Sequence, residues 1–197
     1  FAGTEYIAIH NGTNFEGVYI YALEDGTSVW VNEAKTETNN MEQITSNLNI
    51  GEVKFVPMYN YCYSNKIKSP LYIKADKPII VFQETGRNGE SGGTMLPQLS
   101  CTGSEKAVYK RVPDSKECVI TIITRSEFVN DFVLNGDDTA ISGADFTPVR
   151  GHNTWSYLKI VKGEPLDDKP ISIANKSGYF HASVLDRDGS SCTFGFF

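Results

Sequence analysis

No stretch of this chain holds a 3.6-residue apolar period for three turns, so nothing in it reads as an amphipathic helix. Leucine and alanine, the strongest helix formers, are sparse. No apolar run nears the ~18 residues of a membrane span; the longest, residues 118–123, is interrupted by Thr121. There is no Lys/Arg cluster, and 18 Lys+Arg stand against 24 Asp+Glu for a net charge of −6. Nucleic-acid binding rests on phosphate contacts, so that class of partner is excluded. No C-x-x-C occurs, which argues against a zinc knuckle or a thioredoxin-type site. The chain begins at Phe1 with no initiator Met and no charged-then-apolar leader, as expected of a processed protein or an excised segment.

What is present is a globular β composition. Hydrophobic residues make up 40% of the 197 and aromatics 12%, too many for a disordered chain. Asn, Ser, Thr and 17 Gly supply turns. Alternating runs predict strands over residues 5–9, 17–21, 27–31, 53–56, 71–75 and 79–82, and again over 107–112, 118–124, 128–134, 156–161, 171–174, 179–185 and 192–197. Asp25-Gly26 reads as a hairpin turn, and Asp76-Lys77-Pro78 as a turn fixed by proline. Residues 85–103, rich in glycine, read as a long loop. The expected fold is all-β, with antiparallel sheets.

The halves echo each other in order. Residues 17–21 with Asp25-Gly26 match 131–134 with Gly136-Asp137. Asn49-Ile50-Gly51 matches Val149-Arg150-Gly151, residues 71–75 match 171–175, and Cys101-Thr102-Gly103 resembles Cys192-Thr193-Phe194-Gly195. This predicts two β-sandwich-like units in tandem, residues 1–106 and 107–197, of a usual size for such a unit. Four cysteines, Cys62, Cys101, Cys118 and Cys192, sit mostly in polar surroundings, where a free thiol is an oxidation liability. Buried reduced thiols are the alternative. If the repeat is real each half owns two, which favours Cys62–Cys101 and Cys118–Cys192 among the three connectivities. Two sequons, Asn11-Gly12-Thr13 and Asn175-Lys176-Ser177, permit glycosylation.

Catalytic patterns fail on inspection. Gly89-Glu90-Ser91-Gly92-Gly93 resembles the nucleophile segment of trypsin-like proteases, but Thr94 follows where proline belongs and Glu replaces Asp. His10, the one histidine upstream, lacks that family's Ala-Ala-His-Cys setting. His10, His152 and His181 are too widely spaced for a metal triad, and His181 reads as a hydrogen-bonding residue within a strand. Asp186 with Asp188, and Asp137 with Asp138, offer oxygen ligands of the kind calcium takes. Acidic turns need the same residues. No phosphate-binding glycine loop occurs, and no other cofactor is expected.

The run Ile73-Lys74-Ala75-Asp76-Lys77-Pro78-Ile79-Ile80-Val81-Phe82, followed by Leu96-Pro97-Gln98-Leu99, resembles the N-terminal domain of IgG Fc-binding proteins. Gly178-Tyr179-Phe180-His181 and the closing Cys192-Thr193-Phe194-Gly195 are similar to the ending of its bacterial members. The resemblance implies a β-rich extracellular module of secreted or cell-surface proteins, with a role in adhesion or binding. It carries no catalytic residues to this chain. The paired cysteines that follow the proline strand in the family are absent here, so it implies no disulfide pattern.

The functional expectation is a non-enzymatic adhesion module, part of a larger protein, whose partner is a glycan, a mucin or another surface protein. Recognition is expected from loops at the ends of rigid sheets, with Tyr59, Tyr61, Tyr63, Arg87 and Asn88 as candidates. The runner-up is a carbohydrate-binding module serving a linked enzyme, with Trp30 or Trp155 stacking on a sugar ring. A structural spacer is the third reading. Ligand identity and oligomeric state are left open.

Overall fold

The computed structural model of the protein describes residues 1–10, 16–32, 39–58, 70–87, 90–100, 102–111, 116–162, 169–187 and 192–196. Among them are fifteen strands and two single 3₁₀ turns, Ser126–Phe128 and Gly143–Asp145, with no α-helix. Every strand pair is antiparallel. The all-β expectation holds. The chain forms two units, Phe1–Cys101 with Val149–His152, and Thr102–Pro148 with Asn153–Phe197.

The first unit is one seven-stranded sheet built on a single long strand. Its strands are β1 (Gly3–Ala8), β2 (Gly17–Ala22), β3 (Thr27–Asn32), β4 (Met41–Leu48), β5 (Val53–Pro57), β6 (Leu71–Arg87) and β7 (Glu90–Met95). The register places β3 against residues 73–75 of β6 and β2 against 79–84, along one edge. β1 and β7 pair with the opposite edge. β4 extends the sheet beyond β3, and β5 beyond β2. Ile73, Ala75, Ile79, Val81, Gln83 and Thr85 are all buried, so odd residues of β6 on both sides of Lys77 face the core. Val18, Ile20 and Val56 join them.

One expected turn and one expected hairpin are therefore absent. Residues 76–78 continue β6 instead of reversing it, because that stretch falls between the β3 and β2 registers and next to an irregularity in β1. A proline without an N–H costs nothing where no ladder bond is required. Asp25-Gly26 makes no hairpin either, since β2 and β3 do not pair with each other. It carries the chain from one stretch of β6 to the next. Asp76 Oδ1 accepts from Ser28 N at 2.8 Å, Lys77 Nζ donates to the Asp25 carbonyl at 2.6 Å, and Leu23 N donates to the Pro78 carbonyl at 3.2 Å. Asp76-Lys77-Pro78, central to the family resemblance, is thus the clasp of this crossover. Asp76→Ala should lower the stability of the unit by about 1 kcal/mol, the worth of one such bond, as read by urea titration.

The glycine-rich stretch is also ordered differently from the expectation. β6 runs on to Arg87 and β7 returns along it, so residues 82–87 and 90–95 pair as an antiparallel hairpin. Gly93 is there for contact, since a Cβ on it would lie 2.3 Å from the Phe82 ring. One further strand, β4, went unassigned from sequence because both of its faces are largely polar and exposed. One echo between the halves is a shared turn. Gly51 and Gly151 hold φ of 83° and 79°, and Glu52 N and His152 N donate to the carbonyls of Asn49 and Val149.

The second unit is a sandwich. Strands β8 (Lys106–Tyr109), β10 (Phe132–Leu134) and β13 (Ile171–Asn175) make a three-stranded sheet in the order β10-β13-β8. Strands β9 (Glu117–Arg125), β11 (Thr147–Pro148), β12 (Trp155–Lys162), β14 (Phe180–Arg187) and β15 (Cys192–Phe196) make a five-stranded one in the order β11-β12-β9-β14-β15. Ile120, Ile122, Phe180, Ala182 and Val184 meet Phe132, Leu134 and Ile173 in one core. The alternate residues Val119, Thr121, Ile123, His181, Ser183 and Leu185 are buried as well. Burial of both faces is why residues 118–123 read as a continuous apolar run.

Cys118 corrects the disulfide expectation. It is a free, buried thiol. Across the ladder it faces Lys162 of β12 and Asp186 of β14, while Cys192 sits opposite Arg187 on β15, one strand further on. Two strand spacings of ~4.8 Å exceed the ~7 Å that a disulfide allows between Cα atoms. Cys62 and Cys101 lie outside the described residues. Burial first, and the Asp186 carboxylate second, push the Cys118 thiol up to about 11. Alkylation followed by peptide mapping should therefore leave Cys118 unmodified at pH 8 in the native chain and label it fully in denaturant.

Candidate functional site

An outward row of aromatic side chains crosses β5, β2 and β6. Alternation turns Val18 and Ile20 inward, so Tyr19 and Tyr21 must face out; the same parity exposes Val53 and Phe55 on β5 and turns Ile80 and Phe82 outward on β6. Register sets Phe55, Tyr19, Phe82 and, on β7, Met95 side by side. Ring centroids lie 4.8 Å apart for Tyr19 and Phe55 and 6.4 Å for Tyr19 and Phe82, with the planes tilted by 41° and 54°. Phe55 is 46% exposed, Val53 45% and Tyr21 38%. The Tyr19 hydroxyl donates to Glu84 Oε2 at 2.8 Å, which holds its pKa above the ordinary value.

The two glycines beneath this row explain how the rings sit. A Cβ on Gly17 would lie 2.3 Å from the Phe55 ring, and one on Gly93 equally close to Phe82. The rings therefore rest on bare backbone, an arrangement by which aromatics cover glycines in sheets. Their outer faces point away from the unit.

A buried polar cluster ties together the ends of three connections at one end of the same sheet. Glu16, with no exposed side chain, accepts from Thr85 Oγ1 at 2.7 Å through Oε1 and lies 3.2 Å from His10 Nε2 through Oε2. Met58 N donates to the Glu16 carbonyl at 2.9 Å, and Gln83 Nε2 to the Ile9 carbonyl at 2.8 Å. His10 and Glu16 flank residues 11–15, Met58 precedes 59–69, and Thr85 leads towards 88–89. Tyr59, Tyr61, Tyr63 and Asn88 lie outside the described residues. Arg87 is described by its backbone, opposite Glu90 in the hairpin.

Other sequence candidates are placed elsewhere. Trp30 is half-buried on β3, opposite Lys74 and Gln43, away from the aromatic row. Trp155 is buried, with the Arg125 guanidinium 5.3 Å over its ring and the His181 ring 6.1 Å away. Its face is not offered to a sugar. Asp186 is buried, accepting from the Tyr109 hydroxyl at 2.5 Å with Arg111 Nε 3.6 Å away. Asp137 is spent on its own turn, accepting from N and Oγ1 of Thr139, which lower its pKa, and Asp138 pairs with Lys176 at 3.1 Å. Asp188 lies outside the described residues, among which no three His, Cys, Asp or Glu side chains gather as a metal site. His181 lies within a strand, β14, as expected, but it is buried and neither ring nitrogen has a hydrogen-bond partner among the described residues, which corrects the expected hydrogen-bonding role. Asn175, the second sequon asparagine, is buried and donates from Nδ2 to the Phe128 carbonyl at 2.9 Å, so the folded chain does not present it for glycosylation.

Sequence reasoning did not single out Tyr19, Tyr21, Phe55 or Phe82. The signal was present: a half-solvated strand should carry polar residues at its outward positions, yet β2 carries tyrosine at both, and β5 and residues 80–82 of β6 each carry an aliphatic and an aromatic residue there.

A family model described as IgGFc binding protein matches residues 2–186. No curated protein and no solved structure matches the chain. No helix among the described residues is long and apolar enough to cross a membrane.

Proposed function

Because the chain belongs to the IgGFc binding protein family, a family of extracellular binding domains, we propose that it is a secreted or surface-displayed adhesion module that holds a partner without transforming it. The observation that carries this reading is the joining of three connections by one buried cluster, Glu16 with His10, Thr85 and the Met58 amide. Binding segments work best on a rigid base, and the base here is the end of a seven-stranded sheet. Tyr59, Tyr61 and Tyr63 follow Met58 in the sequence, and Arg87 and Asn88 follow Thr85. Aromatic and amide side chains suit recognition, giving contact area at low entropic cost and adaptable hydrogen bonds.

Immunoglobulin Fc, named by the family, and mucin are the partners to test first. On a biosensor carrying either glycoprotein the chain should bind, and Tyr61→Ala and Arg87→Ala should each weaken binding at least tenfold, as anchors of an interface do. Retention of full affinity in both variants would refute the loops as the recognition element. Ser91, on β7 opposite Gly86, should support no peptidase turnover, and turnover abolished by Ser91→Ala would refute the non-enzymatic reading.

A further inference from the structure

We propose that the aromatic row of the first unit binds a short, uncharged oligosaccharide, its pyranose rings laid C–H face down on Phe55, Tyr19 and Phe82. This rests on the binding-module reading and names a ligand class for it. Three observations carry it.

The first is size. At ~200 Å² per aromatic side chain, the exposed fractions of Phe55, Tyr21 and Val53 with their half-buried neighbours leave on the order of 300–400 Å² of apolar surface. A stable protein interface takes ~800 Å² from each partner. The face is too small for a second copy of the chain and suits a ligand of two or three sugar rings.

The second is chemistry. Sugars present apolar C–H faces ringed by hydroxyls, and the row supplies both complements. Aromatic faces lie outward over Gly17 and Gly93. Glu84, already bonded to the Tyr19 hydroxyl, is a carboxylate with about four acceptor sites and keeps capacity for sugar hydroxyls. It is also the one charged residue at the outward positions of β2, β5 and residues 80–84 of β6. A lone negative charge repels sulfated, sialylated and uronate-bearing chains and leaves neutral ones.

The third is shape. The successive tilts of 41° and 54° make the surface twisted rather than planar, in keeping with the twist of the sheet beneath it. A twisted row follows a free chain in solution and cannot lie flat on a crystalline polysaccharide.

The test uses the full 197-residue chain in affinity electrophoresis through gels containing laminarin, xyloglucan or galactomannan, with heparin and polysialic acid as charged counterparts and microcrystalline cellulose in a pull-down. At least one neutral soluble polymer should retard the chain. Phe55→Ala and Tyr21→Ala should each weaken retardation tenfold or more, with Tyr19→Phe, which loses the bond to Glu84, weakening it several-fold. Melting curves verify folding. If Phe55→Ala does not fold, Tyr21→Ala, at the open end of the row, decides. The proposal is overturned if no neutral polymer retards the chain, if the variants behave as wild type, or if the charged or crystalline polymers bind more tightly. Failure of every neutral polymer to retard the chain, while Fc or mucin still binds it, would overturn the proposal and leave the broader binding reading standing. Silence towards every glycan and glycoprotein would remove both.

Discussion

Glu16→Ala should destabilise the first unit by about 3 kcal/mol, because removing one partner of a buried polar pair strands the other. Thr85 Oγ1 would lose its acceptor, His10 would lose its carboxylate, and the cavity left at a fully buried side chain adds to the cost. The estimate sits at the low end of the usual range since His10 retains some access to water, at 11% exposure. A loss of that size lowers the melting temperature by on the order of 10 °C for a unit of about a hundred residues. Glu16→Gln keeps an acceptor for Thr85 and should cost roughly half as much. Calorimetry separates the outcomes, and a change below about 0.5 kcal/mol in Glu16→Ala, the scale of an ordinary surface substitution, would show that the cluster does not hold the three stems.

Acid should weaken the second unit through His181. Burial alone lowers its pKa from 6.5 to about 4, so between those values the unfolded chain binds a proton that the folded chain refuses. Stability is then complete above about pH 6.5 and falls as the pH drops towards 4. From pH 7 to 4.5 the loss should be roughly 2–3 kcal/mol, at 1.36 kcal/mol for each unit of pKa difference. His181→Phe should flatten this part of the profile and fills the site with a ring of similar size. Urea titrations of wild type and variant at both pH values give the difference directly. Equal slopes in the two proteins would remove His181 as the source.

How much of this was legible in the sequence follows from which interactions are local. Strand positions were, because alternation between core and solvent is written residue by residue, as in Val18-Tyr19-Ile20-Tyr21. The hairpin at Asp25-Gly26 and the turn at Asp76-Lys77-Pro78 were misread because their chemistry is local while their outcome is not. Each binds the other across some fifty residues of chain, through Ser28 to Asp76 and Lys77 to Asp25. Cys118 was paired on counting alone, and counting cannot see that Asp186 takes the neighbouring place in the sheet. The aromatic row escaped because it is assembled by register from β2, β5 and β6, and Tyr19 meets Phe55 and Phe82 only across strands far apart in sequence.

The dependence of the first unit on β6 also sets the order in which it can form. β1, β2, β3 and β7 all hydrogen-bond to residues 71–87, so β1 must wait for that stretch to be synthesised, while β2 and β3, paired earlier with β5 and β4, each keep one edge open until then. Tyr6 cannot find the Ile79 carbonyl, nor Thr85 the Glu16 carboxylate, without closing a loop of about seventy residues. Such long-range pairing places folding in the millisecond-to-second range rather than the microsecond one. On the ribosome or in a secretion channel, the unit keeps exposed strand edges until Arg87 has emerged.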